Sequence, residues 1–240
     1  MSRVRCAALA GVAVIGFASV ASAADYSWTG WYVGGNVGYS WGRASGDASF
    51  IDLYSASHLL SNSLEPKGLI GGAQIGYNWQ NDNRWVFGLE ADFQGSAEKD
   101  SSSSSYVDFE GGTYTQAVDA KILWFGTVRG RAGVLLNPTT LLYGTGGLAY
   151  GKTSVALTVT DSGGGVSTAG DSKTKLGWTL GAGIEGAIAT SRDWTWKLEY
   201  LYIDLGSLSG AGSDINGNPY SWNAKFSDNI LRVGVNYRFR

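Results

Sequence analysis

Two arginines, Arg129 and Arg131, stand in an otherwise apolar stretch of the chain, KILWFGTVRGRAGVLL at residues 121–136. Guanidinium groups pair with carboxylates through charge-assisted hydrogen bonds, so a strand that carries them here must turn them towards acids. Suitable acids occur in an earlier apolar segment at Glu90 and Asp92. Further charged residues interrupt the later apolar segments, namely Glu185, Lys197, Glu199, Arg232 and Arg238. The pattern predicts a network of ion pairs shared by one face of several strands.

A glycine motif and a single histidine are the other candidates for chemistry. GAGIEG at residues 181–186 fits the G-x-G-x-x-G pattern of dinucleotide sites, and Asp204 stands near the distance of a ribose-binding acid. That pattern requires a following helix, whereas the next residues are typical of a turn and another strand. His58 has only Asp52 and Glu65 near it, too few partners for a catalytic triad or most metal sites. We therefore predict no catalytic residue, no metal site, no cofactor and no enzymatic activity.

The composition favours a folded chain of many short strands. Hydrophobic residues make up 44% and charged residues 16%, which excludes disorder by composition. The 36 glycines, about twice the usual share, occur with 10 Trp, 13 Tyr and only 3 Pro. A net charge of −2 without a basic cluster argues against nucleic acid as a partner.

The N-terminus, residues 1–23, has the organisation of a cleavable signal peptide. Two arginines precede an apolar run at residues 6–20, and small residues follow at 21–23. The run is shorter than the roughly 20 residues that a spanning helix needs, which disfavours a membrane anchor. We expect cleavage before Ala24, leaving residues 24–240 as one domain without cysteine and therefore without disulfides.

Eight segments of the mature chain alternate apolar and polar residues with the period of a β-strand. In one of them Trp124, Val128 and Val134 alternate with Arg129 and Arg131. The eight predicted strands cover about residues 31–41, 69–79, 85–93, 124–134, 141–152, 176–188, 194–202 and 231–239.

The connections between these strands alternate between short and long. QNDNR, NPTT and TSRD are typical of tight turns. The long segments at 43–67, 97–118, about 160–172 and about 206–224 are rich in Ser, Gly, Asp and Asn, and we expect them to be solvated and partly mobile. An even number of strands with long loops at one end is how outer-membrane barrels are built.

Aromatic residues stand at both ends of the predicted apolar faces, with aliphatic and small residues between them. One level holds Trp31, Trp79, Trp85, Trp194, Tyr237 and Phe239, and the other holds Tyr39, Trp41, Phe93, Trp124, Trp178 and Tyr202. Such belts are typical of the two interfaces of a membrane. Trp31 and Trp41 would be roughly 25 Å apart in height, at about 3.3 Å per residue and a tilt of about 40°.

The polar faces decide against a soluble barrel, whose polar side would meet water. They are crowded with glycine, which is too small to cover an exterior, at positions 34, 38, 72, 76, 181, 183 and 234. We therefore predict that the apolar faces meet lipid and that the charged residues lie inside. A barrel of eight strands is just wide enough for side chains to fill, which favours a filled lumen over a narrow pore for small solutes.

Several segments resemble one known family. DYSWTGWYVGGNVGYSWG, GTVRGRAGVLL with LLYGTGGLAYG, and the closing LRVGVNYRF are similar to the small outer-membrane barrels of alphaproteobacteria, the 25 and 31 kDa surface-antigen group and its rhizobial relatives. The resemblance covers essentially the whole mature chain. It implies an eight-stranded, antiparallel, up-and-down transmembrane β-barrel with periplasmic termini, similar to OmpA and OmpX barrels. It also implies assembly by the outer-membrane insertion machinery, although here Arg240 follows the terminal aromatic Phe239.

The function that follows is structural and interfacial. We expect an outer-membrane protein that supports envelope integrity, contacts membrane lipid and lipopolysaccharide, and presents surface loops to the environment or a host. Some members of the family that this chain resembles are porins or heme binders. The alternative to a structural role is therefore a narrow pore or a loop that binds a ligand such as heme. No oligomeric state is predicted.

Overall fold

The computed structural model describes residues 26–51, 57–81, 84–107, 113–161, 163–213 and 219–239. The predicted signal peptide and its cleavage site lie outside these residues. Among the residues described, no helix is long and apolar enough to cross a membrane.

The described elements are strands of one antiparallel sheet. The sheet closes on itself because β1 pairs with β3 on one side and with β9 on the other. The strands are β1 (Gly30–Ile51), β2 (Ser57–Leu64), β3 (Lys67–Asn81), β4 (Trp85–Val107), β5 (Thr113–Asn137), β6 (Thr140–Asp161), β7 (Val166–Ala187), β8 (Trp194–Ser213) and β9 (Pro219–Arg238).

Strands β2 and β3 form one strand of the barrel wall with an interruption at residues 65–66. The register runs on unchanged across the break, with Ala44 of β1 opposite Leu64 and Trp41 opposite Lys67. Pro66 has no N–H for the ladder, and its carbonyl accepts a 2.8 Å hydrogen bond from the Gly42 N–H. The wall therefore has eight strands, and the predicted eight-stranded up-and-down barrel is confirmed.

The three short connections occur where they were predicted, between β3 and β4, β5 and β6, and β7 and β8. They lie at the end of the barrel where β1 begins and β9 ends. We call this end the turn end and the opposite end the hairpin end. At the hairpin end, the prediction of long loops was wrong in extent. Strands β4 and β5 reach Val107 and Thr113, and the five serines at 101–105 pair with residues 115–119.

These segments form strands although their composition is that of loops. Each long hairpin supplies its own second strand, so backbone hydrogen bonds form without an apolar face. His58, predicted in a loop, accordingly lies in β2 opposite Phe50.

Beyond the aromatic residues at the hairpin end, the ring divides into two four-stranded sheets. The β7–β8 pairing ends at Trp178 and Asp204, and the β3–β4 pairing ends at Lys67 and Lys99. An irregularity in β4 precedes its separation from β3, one in β8 directly follows its last pair with β7, and Gly206 of β8 adopts a φ of 73°. A bulge bends the strand that carries it, which turns β4 and β8 away from their neighbours. We call the extensions of β8, β9, β1 and β2, and those of β4 to β7, the surface sheets.

Candidate functional site

The side chains of the predicted aromatic belts lie on the outer wall of the barrel. Ten are exposed, namely Trp31, Tyr39, Trp41, Trp79, Trp85, Phe93, Trp178, Trp194, Tyr237 and Phe239. Trp124 and Tyr202 are half-buried because each packs against a neighbouring aromatic ring, Phe93 and Trp178 respectively, with centroids 5.4 Å apart. The outer wall between the belts is aliphatic, as a lipid-facing surface requires.

The lumen holds a neutral network of eight charged side chains, which we call the charged layer. Its four acids and four bases project inward from β4, β5, β7, β8 and β9, and all are buried. The members are Glu90, Asp92, Glu185, Glu199, Arg129, Arg131, Lys197 and Arg232. Because the two signs are equal in number, burial leaves no net charge in a region that water does not solvate.

Arg129 occupies the centre of the charged layer. Its guanidinium contacts Glu90 through Nη2, lies 3.0 Å from Asp92 Oδ2 and lies 3.2 Å from Glu199 Oε1. Its Nε donates a 2.9 Å hydrogen bond to Thr127 on the same strand. Arg232 approaches from the opposite wall, with its Nη2 2.9 Å from Asp92 Oδ2 and 2.5 Å from Glu199 Oε2. The two arginines therefore share their acids across the barrel.

Arg131 binds Glu185 and Lys197 binds Glu90. Nη2 of Arg131 lies 2.7 Å from Glu185 Oε2, and its guanidinium lies 4.0 Å from the centre of the Tyr143 ring. Nζ of Lys197 lies 3.1 Å from both carboxylate oxygens of Glu90. A cation over an aromatic face gains electrostatic stabilisation where water is excluded.

Two tyrosines add hydrogen bonds to the charged layer, and inward glycines leave room for them. The Tyr32 hydroxyl donates to Glu90 and the Tyr143 hydroxyl donates to Glu199, each at 2.8 Å. A Cβ on Gly76 would lie 2.3 Å from the Tyr32 hydroxyl oxygen. The crowding of the polar faces with glycine thus has a packing role, because small wall residues accommodate long side chains from across the lumen.

Arg238 lies apart from the charged layer, at the turn end. Its guanidinium is 4.9 Å from the Tyr26 ring centre and 5.2 Å from that of Trp28, and it donates a hydrogen bond to the Ser27 carbonyl. We call residues 26–29 the N-terminal cap.

Trp28 anchors the cap inside the barrel. Its side chain is fully buried, its Nε1 donates to the Pro138 carbonyl at 3.1 Å, and its backbone N–H donates to Gln80. Sequence reasoning missed this role, and the available signal was a tryptophan between the expected cleavage point and the first strand.

An apolar layer fills the lumen between the charged layer and the hairpin end. It consists of the buried residues Ile70, Ile122, Phe125, Ala149, Leu201, Ile203, Leu205, Phe226 and Ile230. Sequence reasoning missed this layer as well. The signal was residues 200–203 of β8, Tyr-Leu-Tyr-Ile, where both faces of the strand are apolar and alternation is lost. One face meets lipid and the other fills the lumen.

The segment that fits a nucleotide motif lies at residues 181–186 of β7, and a turn and β8 follow it. Within the described ranges, no group of three or more His, Cys, Asp or Glu side chains is arranged to hold a metal ion. The buried residues of the lumen instead form a stack along the barrel axis, made of the N-terminal cap, the charged layer and the apolar layer.

Comparison with known proteins gives consistent results. The family model "Outer membrane protein beta-barrel domain" matches residues 10–239. The chain is 43% identical over 216 residues to the 31 kDa outer-membrane immunogenic protein of Brucella melitensis biotype 1, covering 89% of this chain and 85% of the relative. It is 33% identical over 213 residues to the 22 kDa outer membrane protein of Rhizobium leguminosarum bv. viciae, covering 89% and 79%. The outer membrane protease OmpT from Escherichia coli has a similar fold, with a TM-score of 0.52, 11% identity, and coverage of 90% of this chain and 99% of OmpT.

Proposed function

This chain belongs to the outer membrane protein beta-barrel domain family, and from that premise we propose that it is a closed structural barrel whose surface sheets contact the environment. The protein lies in the outer membrane, as its relatives do. We further propose that it is not an enzyme. The likeness to OmpT concerns the fold alone.

The filled lumen is the observation that carries this proposal. A solute crossing the barrel would have to displace the buried Trp28, break the ion pairs of Arg129 and Arg232, and pass Phe125 and Leu201 in the apolar layer. Each step removes packed side chains or leaves buried charges unpaired, and both changes are costly. A structural role therefore explains the lumen better than a pore does.

The surface sheets support the interfacial part of the proposal. In barrels of this kind the short turns face the periplasm, so the surface sheets extend outside the cell. Two four-stranded sheets extend there, and several relatives are named immunogenic proteins. We propose that these sheets contact the environment or a host, and that the belts contact lipid and lipopolysaccharide.

The same proposal extends to the biogenesis of the chain. Residues 1–23 would direct export and be removed, which frees residues 26–29 to enter the turn end of the barrel. The exposed Phe239, at the end of the last strand, would be a recognition element for the insertion machinery.

Planar-bilayer recording of the refolded mature chain tests the proposal. We expect no reproducible single-channel steps from the wild-type protein. A matched variant, Arg129→Ala with Leu201→Ala, removes one member from each layer, and any new conductance in it would show that the protein inserts and that these layers seal it. Reproducible steps in the wild type that change with Arg129→Ala or Glu185→Ala would instead assign a narrow pore.

A further inference from the structure

Two acidic side chains outside the charged layer are buried at the hairpin end of the lumen. Glu98 of β4 is 2% exposed and Asp228 of β9 is 4% exposed. The Ser40 hydroxyl donates to Asp228 Oδ1 at 2.5 Å, and the Ser96 hydroxyl donates to Glu98 Oε1 at 2.9 Å. Gly68 is opposite Ser40, and a Cβ on Gly68 would lie 2.7 Å from the Glu98 backbone nitrogen, so Glu98 lies beside the serine that bonds Asp228. The structure thus brings two carboxylates and two hydroxyls from β1, β4 and β9 together.

This acid pair lies just beyond the membrane-spanning part of the wall. Asp228 is opposite Gly42, one residue past Trp41 of the hairpin-end belt. Glu98 follows the irregularity after Gly95, which is opposite the belt residue Trp124. The site is therefore close to the point where the β3–β4 pairing ends, at Lys67 and Lys99.

Among the described residues, no base balances this acid pair. The charged layer is already neutral, Lys67 pairs with Glu65 at 2.8 Å, and Lys225 lies 3.4 Å from Asp204. Both lysines are largely exposed, whereas Asp204 is a third buried acid on the adjoining strand β8.

The surroundings of the pair are unfavourable for an uncompensated charge. The members of the apolar layer that flank Asp228 along β9 are Phe226 and Ile230. The second oxygen of Glu98, Oε2, is buried without a hydrogen-bond partner. A buried carboxylate of this kind requires a positive charge or a proton.

We propose that Glu98 and Asp228 bind a divalent metal cation, Ca²⁺ or Mg²⁺, at the hairpin end of the lumen. Both ions prefer oxygen ligands, and Mg²⁺ in particular is often held by one or two carboxylates and completes its shell with water. Two carboxylates supply the charge that a divalent ion neutralises, and the unpartnered Glu98 Oε2 is the oxygen available to it. A single proton would leave one of the two carboxylates charged.

The titration of the pair predicts how the cation binds. Burial and the adjacent Asp228 carboxylate raise the pKa of Glu98 to about 8, against the smaller opposing effect of the Ser96 and Ser40 hydroxyls. Burial raises the pKa of Asp228 to about 6. Without metal, the raised pKa of Glu98 therefore favours a proton on this pair at neutral pH. On binding, the Glu98 O–H bond breaks, the proton leaves to solvent, and the carboxylate oxygen binds the cation.

Calorimetric titration of the refolded mature protein in detergent with CaCl₂, and separately MgCl₂, tests this inference. At pH 7, in two buffers of different ionisation enthalpy, we expect release of about one proton per bound cation. At pH 9 the release should fall close to zero, because Glu98 is then already ionised. The thermal unfolding midpoint should rise by several degrees with the cation.

The matched variants are Glu98→Gln and Asp228→Asn, which keep the side-chain shape, and Glu65→Gln, which alters an exposed acid. The first two should lose both the binding and the thermal shift, and Glu65→Gln should keep them. If the wild type shows neither heat nor thermal shift with either cation between pH 6 and 9, the pair holds only a proton and the inference is overturned. Binding that persists in both Glu98→Gln and Asp228→Asn would place the cation elsewhere and overturn it equally. Should one variant fail to fold, the binding heat and thermal shift of the wild type and of the other variant still decide.

Discussion

The charged layer and the apolar layer fill the same ring of strands with opposite chemistry. In the charged layer, Arg129, Arg232 and Lys197 each contact more than one acid, through hydrogen bonds and ion pairs that depend on direction. In the apolar layer, residues such as Leu201 and Phe125 pack without directional contacts. Both layers exclude water from the lumen, yet they should respond differently to substitution. A missing charge leaves its partners uncompensated, whereas a missing methyl group leaves only a void.

The difference also shows how a membrane barrel can be stable when lipid covers its outside. Burial of apolar side chains against lipid gives no advantage over lipid itself, so packing and polar contacts inside the wall contribute more. A buried ion pair is nevertheless weak evidence of stability, since desolvation offsets much of its attraction. The charged layer should therefore act mainly as a constraint, because its ion pairs link β4, β5, β7, β8 and β9 at specific separations.

The largest effect is expected from Arg129→Ala in the charged layer. Removal of this guanidinium leaves Glu90, Asp92 and Glu199 short of positive charge, and we expect a loss of about 3–5 kcal/mol in the free energy of unfolding. Urea unfolding of the refolded protein in lipid vesicles, followed by tryptophan fluorescence, measures it. Arg129→Ala with Glu199→Ala restores equal numbers of acids and bases and should be less destabilised than the single variant. A loss below about 1 kcal/mol in the single variant would mean that water enters the layer.

A smaller loss is expected from Leu201→Ala in the apolar layer, about 2–3 kcal/mol, through lost packing and the remaining void. The sharper comparison is between conservative substitutions. Leu201→Met nearly conserves volume and should cost under about 1.5 kcal/mol. Arg129→Lys keeps the charge but loses the planar fork that reaches three acids, so it should cost more than Leu201→Met. The contrast between the layers fails if the two conservative variants are equally stable.

The wall strands could be predicted from the sequence because a period of two allows only two facings. For residues 124–134, either the aromatic and aliphatic side meets lipid or the arginine side does. Glycines on the polar faces of the other strands, such as Gly34, Gly72 and Gly181, decide between these, because they cannot cover an exterior. The eight wall strands and the short turns follow from the same alternation.

The arrangement inside the lumen could not be predicted in the same way. Glu90 is directly opposite Arg129 on the adjacent strand, a contact that register alone suggests. Asp92 and Arg232 instead meet from strands β4 and β9, which are not neighbours, so their contact depends on the tilt and stagger of the closed barrel. Partial alternation also concealed the apolar layer, since the inward Leu201 and Ile203 follow outward tyrosines. Where apolar residues occupy both faces of a strand, no polar residue in the sequence identifies the face that points into the lumen.

The N-terminal cap extends the comparison to a region where one hydrogen bond can be removed without changing charge. Trp28→Phe keeps an aromatic ring in the turn end but loses the bond from Nε1 to the Pro138 carbonyl. We expect a loss of about 1 kcal/mol, smaller than in either layer. Urea unfolding measures it, and Trp31→Phe on the lipid-facing wall is the matched control. If Trp28→Phe proves no less stable than that control, the cap contributes little to closure.

The smallest effect is expected from the exposed pair of Glu65 and Lys67, which has the same chemistry as the charged layer but lies in water. The Lys67 ammonium, 2.8 Å away, lowers the pKa of Glu65 below its ordinary value of 4.5, and Glu65 raises the pKa of Lys67. The pair's contribution is therefore present at neutral pH. It is lost as pH falls through the lowered pKa of Glu65, and again as pH rises through the raised pKa of Lys67. Because solvent and salt screen both groups, Lys67→Met should leave the unfolding midpoint unchanged within error. Carboxyl carbon NMR should nevertheless find the Glu65 titration midpoint below 4.5 in the wild type, moving back towards 4.5 in Lys67→Met or in 1 M NaCl. If Lys67→Met destabilised the protein as much as Arg129→Ala, burial could not be the reason for the sensitivity of the charged layer.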